Sequence, residues 1–516
     1  ALGAAGVDLV VAARLLGLAS MGAALLAVWR AVRPRRPHEA LAALAGMLGL
    51  ALSGPAGAWA IGGLEQPLVA GLLAWALVAS APLLEPGPVA ARRALAPGLL
   101  FALLALTRAD GLVLVALAGF GVALSQRFAP PGLRRALWLA LLPGAAVLAQ
   151  LAFRAAYYDA LVPNTALVKV AFTLERLRSG GRYVLAAALA SAPLIALSLL
   201  PLAAGPGQRG PRLRLARLAW LVALGWTAYV VLIGGDIFPA YRHWLAALVP
   251  IALAAALGLC LLAERWPRRA RAALALAGVA LAGFAALQRR DRQNRHAETE
   301  RWEYNGEVVG RLLRRAFGPE QPLLAAAAVG SLCYHAELPC LDMLGLNDRH
   351  IARHRPAGFG TGLIGHELGD GAYALGRRPD VLIFCGPTGR AAPCSRGEQE
   401  MVDAPEFARS YQLVRFRGTD PFAVTAQVWV RRAGRVGLRP EAGGLGVPGY
   451  LLAGADGALA ELDAGGQMGL RLPPGAWAEV DLALPPGRWR LRAEADDAAA
   501  LEAAVATPDA PDAPDA

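Results

Sequence analysis

The chain has 516 residues, of which 56% are hydrophobic and 17% are charged, and its formal net charge is +12. A soluble protein of this length would carry more charge and fewer apolar residues. The arginines lie mostly in short loops between long apolar runs, which indicates membrane topology and argues against nucleic acid as a partner. The composition therefore predicts a polytopic α-helical membrane protein.

Ten apolar segments precede residue 290 and are predicted to span a membrane, some as short or broken helices. They cover residues 8–30, 39–62, 67–86, 94–107, 111–126, 136–154, 182–203, 214–234, 243–263 and 271–288. Alternate loops carry arginine clusters, at 30–36, 92–93, 127–135, 209–217 and 265–271. The positive-inside rule places these loops in the cytoplasm. We therefore predict a multi-pass transmembrane domain at 1–289 in a bacterial inner membrane, with extracytoplasmic domains after it.

Two features qualify this orientation. Arg289, Arg290, Arg292 and Arg295 follow the last span on the predicted outer side and break the rule, although a long translocated domain can override such a cluster. The same alternation places Ala1 outside without a signal peptide before it. We therefore expect a further helix and a first outer loop to precede this residue.

The C-terminal part is predicted to hold two outer domains. Residues 290–435 combine a helical pattern with buried strands such as "PDVLIFCG" at 379–386, which favours an α/β domain. Residues 436–505 contain short alternating strands between Gly/Pro turns, as in a small β-sandwich-like, β-rich module. The Pro-Asp-Ala repeats of 506–516 are typical of a disordered tail.

Four of the five cysteines lie in the predicted outer α/β domain, where disulfides can form. Cys333 with Cys340 and Cys385 with Cys394 would close the shortest loops. Reduced, buried thiols are an equally good interpretation. No C-x2-C spacing favours zinc, so no metal ligands are predicted and a divalent-metal requirement is left open.

Polar residues gather at the outer ends of the predicted spans, where ionisable side chains are expensive. They are Glu65, Arg108, Asp110, Asn164, Lys169, Asp236 and Arg242. Each has a structural alternative: Arg108 could simply pair with Asp110, and Glu65 or Asp236 could cap a helix. Their common position at one face of the membrane favours a shared site.

Carboxylates, arginines and a lysine at an outer leaflet suit a polyprenyl-phosphate sugar. The cations would bind the phosphate, and a carboxylate would accept the proton of an acceptor hydroxyl. Lys169 is the only lysine among 51 Lys and Arg residues. An ammonium is a compact point charge, which suits a single oxygen in a narrow cleft better than a planar guanidinium does.

Seven motifs occur in order: "GLEQP", "LTRADG", "YYDALVPNTALVK", "GGDIFPAYR", "DMLGLNDRHIAR", "GHE" and "RRPDVLIF". Together they resemble the terminal arabinofuranosyltransferases of mycobacterial cell-wall assembly and their bacterial relatives, which are GT-C class membrane glycosyltransferases. The resemblance covers roughly residues 1–430. It implies transfer of a sugar, arabinofuranose in the mycobacterial members, from a polyprenyl-phosphate donor to a glycan or glycolipid acceptor at the outer face.

The resemblance also implies positions for the site residues. Glu65, Arg108, Asp110, Asn164, Lys169, Asp236 and Arg242 match motifs that line the cavity, while Asp342, Asn347, Asp348, His366 and Glu367 match outer-domain motifs over its mouth. The catalytic base of GT-C enzymes typically lies in the first outer loop, so we expect it upstream of Ala1. Two other functions stay open: a lipid or polysaccharide transporter, and a non-catalytic, membrane-anchored glycan-binding assembly factor.

Overall fold

The computed structural model describes residues 3–203, 210–441, 444–454, 459–462, 468–471 and 478–479. Helices form the chain up to residue 290, and a mixed sheet flanked by helices follows. The protein is thus a multi-pass membrane protein with a C-terminal α/β domain, which confirms the predicted fold class.

Thirteen helices form the membrane part within the described residues. They are α1 (Leu9–Val32), α2 (Pro37–Ala51), α3 (Gly54–Ala60), α4 (Gln66–Ala79), α5 (Leu95–Thr107), α6 (Gly111–Ser125), α7 (Pro130–Tyr158), α8 (Asn164–Lys169), α9 (Leu174–Ala190), α10 (Ala192–Ser198), α11 (Pro211–Leu232), α12 (Leu245–Arg265) and α13 (Ala270–Arg290).

Five of these helices, α1, α7, α11, α12 and α13, are long and apolar enough to cross a membrane, within the part of the chain that the structure describes. The number rises to seven if α2 with α3, bent by 66°, and α9 with the segment that follows it, bent by 79°, each form one span. The segments predicted at 67–86, 94–107 and 111–126 are shorter helices of 14, 13 and 15 residues. The count of about ten spans stays a prediction.

Helix α12 forms the centre of the membrane part, because it is apolar on every side and almost wholly buried. It packs against α2 and α11. At Gly46 of α2 an added Cβ would lie 2.8 Å from the carbonyl oxygen of Ala252 and 2.7 Å from the Cβ of Ala256. Glycine is therefore needed for the close approach of these two helices.

The arginine-rich loops meet at one end of the helices. Arg212 forms ion pairs with Glu39 at 3.0 Å and with Glu264. These ion pairs join the first turns of α2 and α11 to the last turn of α12. Arg135 of α7 donates to the carbonyl oxygen of Glu85 at 2.6 Å. The loops that the sequence assigns to one side of the membrane thus lie together.

The C-terminal domain, named the outer domain after its predicted location, contains seven helices and eleven strands in its described residues. The helices are α14 (Arg292–Thr299), α15 (Trp302–Phe317), α16 (Val329–Ala336), α17 (Arg349–Arg353), α18 (Gly371–Gly376), α19 (Arg396–Asp403) and α20 (Pro405–Ser410). The strands are β1 (Leu324–Ala326), β2 (Cys340–Asp342), β3 (Val381–Ile383), β4 (Tyr411–Gly418), β5 (Val424–Arg431), β6 (Arg439–Glu441), β7 (Gly444–Gly446), β8 (Ala453–Gly454), β9 (Leu459–Leu462), β10 (Met468–Arg471) and β11 (Ala478–Glu479).

Seven strands form the main sheet, in the order β10-β9-β4-β5-β3-β1-β2. β1 is parallel to both β2 and β3, whereas β5 pairs antiparallel with β3 and β4. β3 lies within the run "PDVLIFCG", in which five apolar residues stand between Asp380 and Gly386. All three residues of β3 are buried, as the prediction requires.

The described strands after residue 436 are only partly separate from this sheet. β9 pairs in parallel with β4 and so extends the main sheet together with β10. β6 with β7 and β8 with β11 form two small two-stranded sheets. The β-sandwich-like module at 436–505 stays a prediction, and its segment from residue 480 onward, like the tail at 506–516, lies outside the described residues.

Two disulfides join the four outer cysteines, Cys333 to Cys340 and Cys385 to Cys394. This is the local pairing, and the alternative of four reduced thiols is not what the structure shows. Cys260 is free and buried in α12, in agreement with a packing role. Disulfides in the C-terminal domain are consistent with an extracytoplasmic location.

Candidate functional site

The break between α5 and α6 holds the first charged group of the site. Arg108 follows the last residue of α5 in an extended conformation, and its guanidinium donates to both carboxylate oxygens of Asp110 at 2.7 and 2.6 Å. A further N–H of Arg108 donates to Glu65, just before α4. The expected pairing of Arg108 with Asp110 is thus present, and Arg108 also pairs with Glu65, which stands at the start of another helix.

The loop between α11 and α12 holds the second group. Gly234 and Gly235 have φ values of 90° and 83°, a left-handed conformation that glycine adopts without strain, and they turn the chain back after α11. Asp236 then accepts two N–H groups of Arg242 at 2.7 and 3.0 Å. The guanidinium of Arg242 also lies 4.1 Å from the ring centre of Phe238.

Both groups border one small cavity. Its polar lining comes from Gln66, Arg108, Asp110, Arg242 and His243, and apolar side chains of α4, α6, α11 and α12 form the rest. The structure therefore brings together residues that are far apart in sequence. The cavity measures about 10 Å³, room for about one water molecule, and the shared ligand site stays a prediction.

His243 was not predicted to belong to the site, yet it lines this cavity. The side chain is 7% exposed, and its Nδ1 has no hydrogen-bond partner among the described residues. Its Nε2 lies 3.9 Å from Asp236. The sequence feature that could have indicated this role is the position of His243, directly after Arg242 and at the start of a long apolar run.

Lys169 approaches the same region from α8. Its ammonium lies 6.0 Å from the ring centre of Phe238, the ring that Arg242 also contacts. Burial lowers the pKa of Lys169, and the positive charge of Arg242 lowers it further. Within the described part of the chain Lys169 forms no ion pair, in contrast to Arg108 and Arg242. It is thus a cation without a direct carboxylate contact in that part, although the charges of Asp236 and Glu65 still act on it.

Asn164 stands at the first position of the same short helix, after Pro163, and is half-buried. Helix α8 packs against α17 of the outer domain. Asn164 therefore begins the helix that carries Lys169, and that helix contacts α17 of the outer domain.

The carboxylates of the site are held in their ionised form. Burial alone would raise the pKa of Glu65, but the charges of Arg108 and Arg242 and the hydrogen bonds to the carboxylate together outweigh burial and hold the pKa below its usual value. Burial likewise acts to raise the pKa of Asp236, and Arg242 lowers it below the usual range. Groups stabilised as anions in this way are poor proton acceptors near neutral pH.

A buried ion pair beside the site was not predicted. Arg176 of α9 is 2% exposed and forms an ion pair with Glu367 of the outer domain. The second oxygen of Glu367 accepts the backbone N–H groups of Gly360 at 2.9 Å and Gly362 at 2.6 Å. Glu367 thus fixes the loop around it and joins that loop to the membrane part.

The remaining predicted residues of the outer domain lie in other surroundings. Asp342 is buried and accepts three backbone N–H groups of the turn at 344–347, including that of Asn347, at 2.7–3.1 Å. Burial raises the pKa of Asp342. Asp348 caps α17 and accepts the hydroxyl of Tyr373 at 3.0 Å. These residues shape the domain, and the structure does not bring them into the membrane-face cavity.

His366 faces a different cavity, a cleft within the outer domain. Cys385, Cys394 and Glu398 also border or approach this cleft and lie close enough to hold a metal ion. The two sulfur atoms form a disulfide, however, and the carboxylate accepts the backbone N–H groups of both cysteines at 2.7 Å. This group therefore stabilises a loop.

Comparison with known proteins identifies one region of the chain. Residues 291–436 match a family model described as a domain of unknown function, DUF8728. The match covers the outer α/β domain and ends at the boundary predicted before the β-rich region. No curated protein matches the chain. The description of the family names no activity, so the argument for function depends on the site.

Proposed function

We propose that the protein transfers a sugar, with arabinofuranose as the first candidate, from a polyprenyl-phosphate donor to a cell-envelope glycan. The reaction would occur at the outer face of a bacterial cytoplasmic membrane, as in GT-C class glycosyltransferases. The observation that carries the proposal is Lys169, a half-buried cation without an ion-pair partner among the described residues, beside two arginines that carboxylates already neutralise.

The contacts of Lys169 support an anionic ligand. Arg108 pairs with Glu65 and Asp110, and Arg242 pairs with Asp236, so two arginines and three carboxylates together carry a net charge of −1. The ammonium of Lys169 brings this group to neutral, and among the described residues no carboxylate is in direct ion-pair contact with that ammonium. A phosphate there would form charge-assisted hydrogen bonds with it, each contributing about 1.5–3 kcal/mol net.

The arginines have a positioning role in this proposal. Each is held in a fixed geometry by a carboxylate, so it can orient a phosphate or a sugar hydroxyl without reorganising. Glu65 and Asp236 are held as anions and are not assigned as the catalytic base. The base is left unassigned among the described residues.

Lys169 provides the direct test, by donor binding to the purified full chain in nanodiscs. With decaprenyl-phosphate as the probe, Lys169→Met should lower affinity by about tenfold to a hundredfold, the loss of one such bond. Lys169→Arg should restore only part of it, because a planar fork replaces a point charge. The melting temperature should be unchanged in both variants. Equal affinity of the folded Lys169→Met variant and the parent would refute the proposal.

The orientation has its own test. A periplasmic reporter fused after Arg432 should be active, and a reporter that works only in the cytoplasm should be silent at the same position. The reverse pattern would place the site on the cytoplasmic side and remove the proposed function.

One observation favours the non-catalytic alternative, an assembly factor that binds glycolipid without turning it over. The carboxylates at the cavity are all engaged by arginine in the described part of the chain. Donor binding that depends on Lys169, with no transfer of radiolabelled sugar to envelope glycan in cells, would support this alternative.

A further inference from the structure

The outer domain contains a second cavity, separate from the one among the helices. It is a cleft of about 640 Å³ that opens beside the carboxyl end of β3. Its walls include Trp302, Asn305, Phe359, His366, Thr388 and Arg390. In sheets with parallel strands, ligands bind outside the carboxyl ends of those strands, next to the point where the strand order reverses. β1 lies between β2 and β3 and is parallel to both, and of these three strands the cleft adjoins the carboxyl end of β3, through Cys385 and Gly386.

The walls of the cleft have the chemistry that binds sugars. The indole of Trp302 is 52% exposed and has no aromatic or cation–π partner in the described residues. An exposed aromatic face packs against the C–H face of a sugar ring, while amide, hydroxyl and imidazole groups bond its hydroxyls. Asn305, Thr388 and His366 supply these polar groups.

The floor of the cleft is rigid. Gly389 has a φ of 66°, and a Cβ there would lie 1.9 Å from the carbonyl oxygen of Gln427. The disulfide between Cys385 and Cys394 closes the same loop. Arg390 extends from this loop, is exposed, and forms no ion pair among the described residues. A preformed wall of this kind lowers the entropy cost of binding a flexible chain.

The segment 356–367 connects the cleft with the membrane-face site. Gly362, Leu363 and His366 face the cleft. On the other side, a Cβ built on Gly365 would lie 3.5 Å from the side chain of Lys169, and Ile364 packs on Gly234. One short segment therefore separates the cleft from Lys169.

We propose that this cleft binds the oligosaccharide acceptor, whose end would reach over segment 356–367 towards Lys169. The acceptor role depends on the proposed glycosyl transfer, whereas oligosaccharide binding in the cleft can be measured without it. Trp302 would stack on a sugar ring and Arg390 would donate to its hydroxyl groups.

The experiment measures binding of hexasaccharides of α-arabinofuranose, β-galactofuranose and α-mannose to the full chain in nanodiscs. We expect at least one to bind, and Trp302→Ala and Arg390→Ala each to weaken it by about fivefold to twentyfold. Tyr334→Ala is the matched control, because Tyr334 is a 53% exposed aromatic of the same domain outside the cleft. Decaprenyl-phosphate binding, measured on the same samples, should not change in any of these variants.

The outcomes separate the two proposals. Absence of binding by all three hexasaccharides would overturn the inference, and so would binding that is insensitive to both substitutions. Hexasaccharide binding in a protein that does not bind decaprenyl-phosphate would overturn the acceptor role and the proposed transfer, and would leave only a glycan-binding cleft. If Trp302→Ala loses binding of both the hexasaccharide and decaprenyl-phosphate, the variant is misfolded. Trp302→Phe, which keeps an aromatic side chain at this exposed position, must then bind the hexasaccharide, or the inference fails.

Discussion

Buried carboxylates have different partners in the outer domain and at the membrane face. In the outer domain, Glu398 accepts three backbone N–H groups, and Asp342 accepts three more. At the membrane face, Asp110 and Asp236 instead bind the side chains of arginines. The hydrogen-bonding capacity of Glu398 and Asp342 is used by the backbone of nearby loops, so these two carboxylates stabilise the fold of those loops.

The carboxylates at the membrane face are arranged differently. A carboxylate paired with an arginine side chain fixes the position of a cation that still has donors directed elsewhere. Glu398 and Asp342 thus hold backbone, whereas Asp110 and Asp236 hold arginines. Asp380 of the outer domain does both, since it accepts backbone N–H groups and also pairs with Arg431 at 2.7 Å. We expect the arginine-paired carboxylates of the membrane face to orient a ligand, and the following predictions test that distinction.

The largest effect is expected where the two regions meet. Arg176→Gln leaves Glu367 buried without its counter-ion, and removing one partner of a buried pair costs about 3–5 kcal/mol. We expect a marked fall in melting temperature and faster proteolysis of the segment 356–367. The double variant Arg176→Gln/Glu367→Gln should recover part of the loss. A single variant as stable as the parent would show that the pair does not join the regions.

Next in size is Glu398→Ala, which removes the acceptor of the N–H groups of Cys385, Cys394 and Ser395. Each unsatisfied buried donor costs about 1–3 kcal/mol, and some will find water, so we expect a loss of about 3 kcal/mol in the stability of the outer domain. Thermal unfolding of the full chain is the measurement, with Glu398→Gln as a milder control. Decaprenyl-phosphate affinity should be retained in the folded fraction; a specific loss of that affinity would erase the contrast between the regions.

Asp236→Asn tests the membrane face. It keeps one acceptor oxygen for Arg242 but removes the negative charge, so stability should fall by about 1–2 kcal/mol. Because the site becomes more positive, decaprenyl-phosphate affinity should rise by about threefold. Isothermal titration and melting of the same samples give both numbers. A fall in affinity instead would mean that Asp236 contacts the ligand directly.

The smallest effect is the pH dependence of binding. Burial, and then the charge of Arg242, lower the pKa of Lys169, so its charge is lost at a lower pH than that of an ordinary lysine, whose pKa is about 10.4. Decaprenyl-phosphate affinity should weaken as the pH rises through that lowered pKa. Without ligand the sign is opposite: the unfolded chain binds more protons in this window, so stability rises with pH. Lys169→Arg should bind equally across the same range.

Local patterns predicted the parts of this structure that depend on neighbouring residues. The apolar run with Pro and Gly at its ends predicted β3. The shortest closures indicated which cysteines would pair, although reduced thiols were an equally good interpretation. The pairing of Arg108 with Asp110 was open to prediction because only one residue lies between them in the sequence. Hydropathy identified the apolar segments but not their bends, since a bend of 66° between α2 and α3 leaves the composition unchanged.

Contacts between distant segments could not be predicted in this way. Arg176 and Glu367 are 191 positions apart, and neither has a neighbour in sequence that indicates the other. The link between Glu65 and Arg108 depends on the packing of α4 against α5, and the approach of Lys169 to Phe238 depends on how α8 leaves the membrane part. His243 was overlooked because its role follows from a cavity that forms only when four helices have packed.

The distance in sequence between Arg176 and Glu367 also bears on how the protein is made. A ribosome finishes α9 long before it reaches the loop that carries Glu367, so during synthesis Arg176 has a charge and no counter-ion. Until then the first turn of α9 is best accommodated in interfacial water, where an unpaired charge is tolerated. We therefore expect the helix to reach its final depth only after the later segment has folded, so that this one ion pair would order two steps of biogenesis.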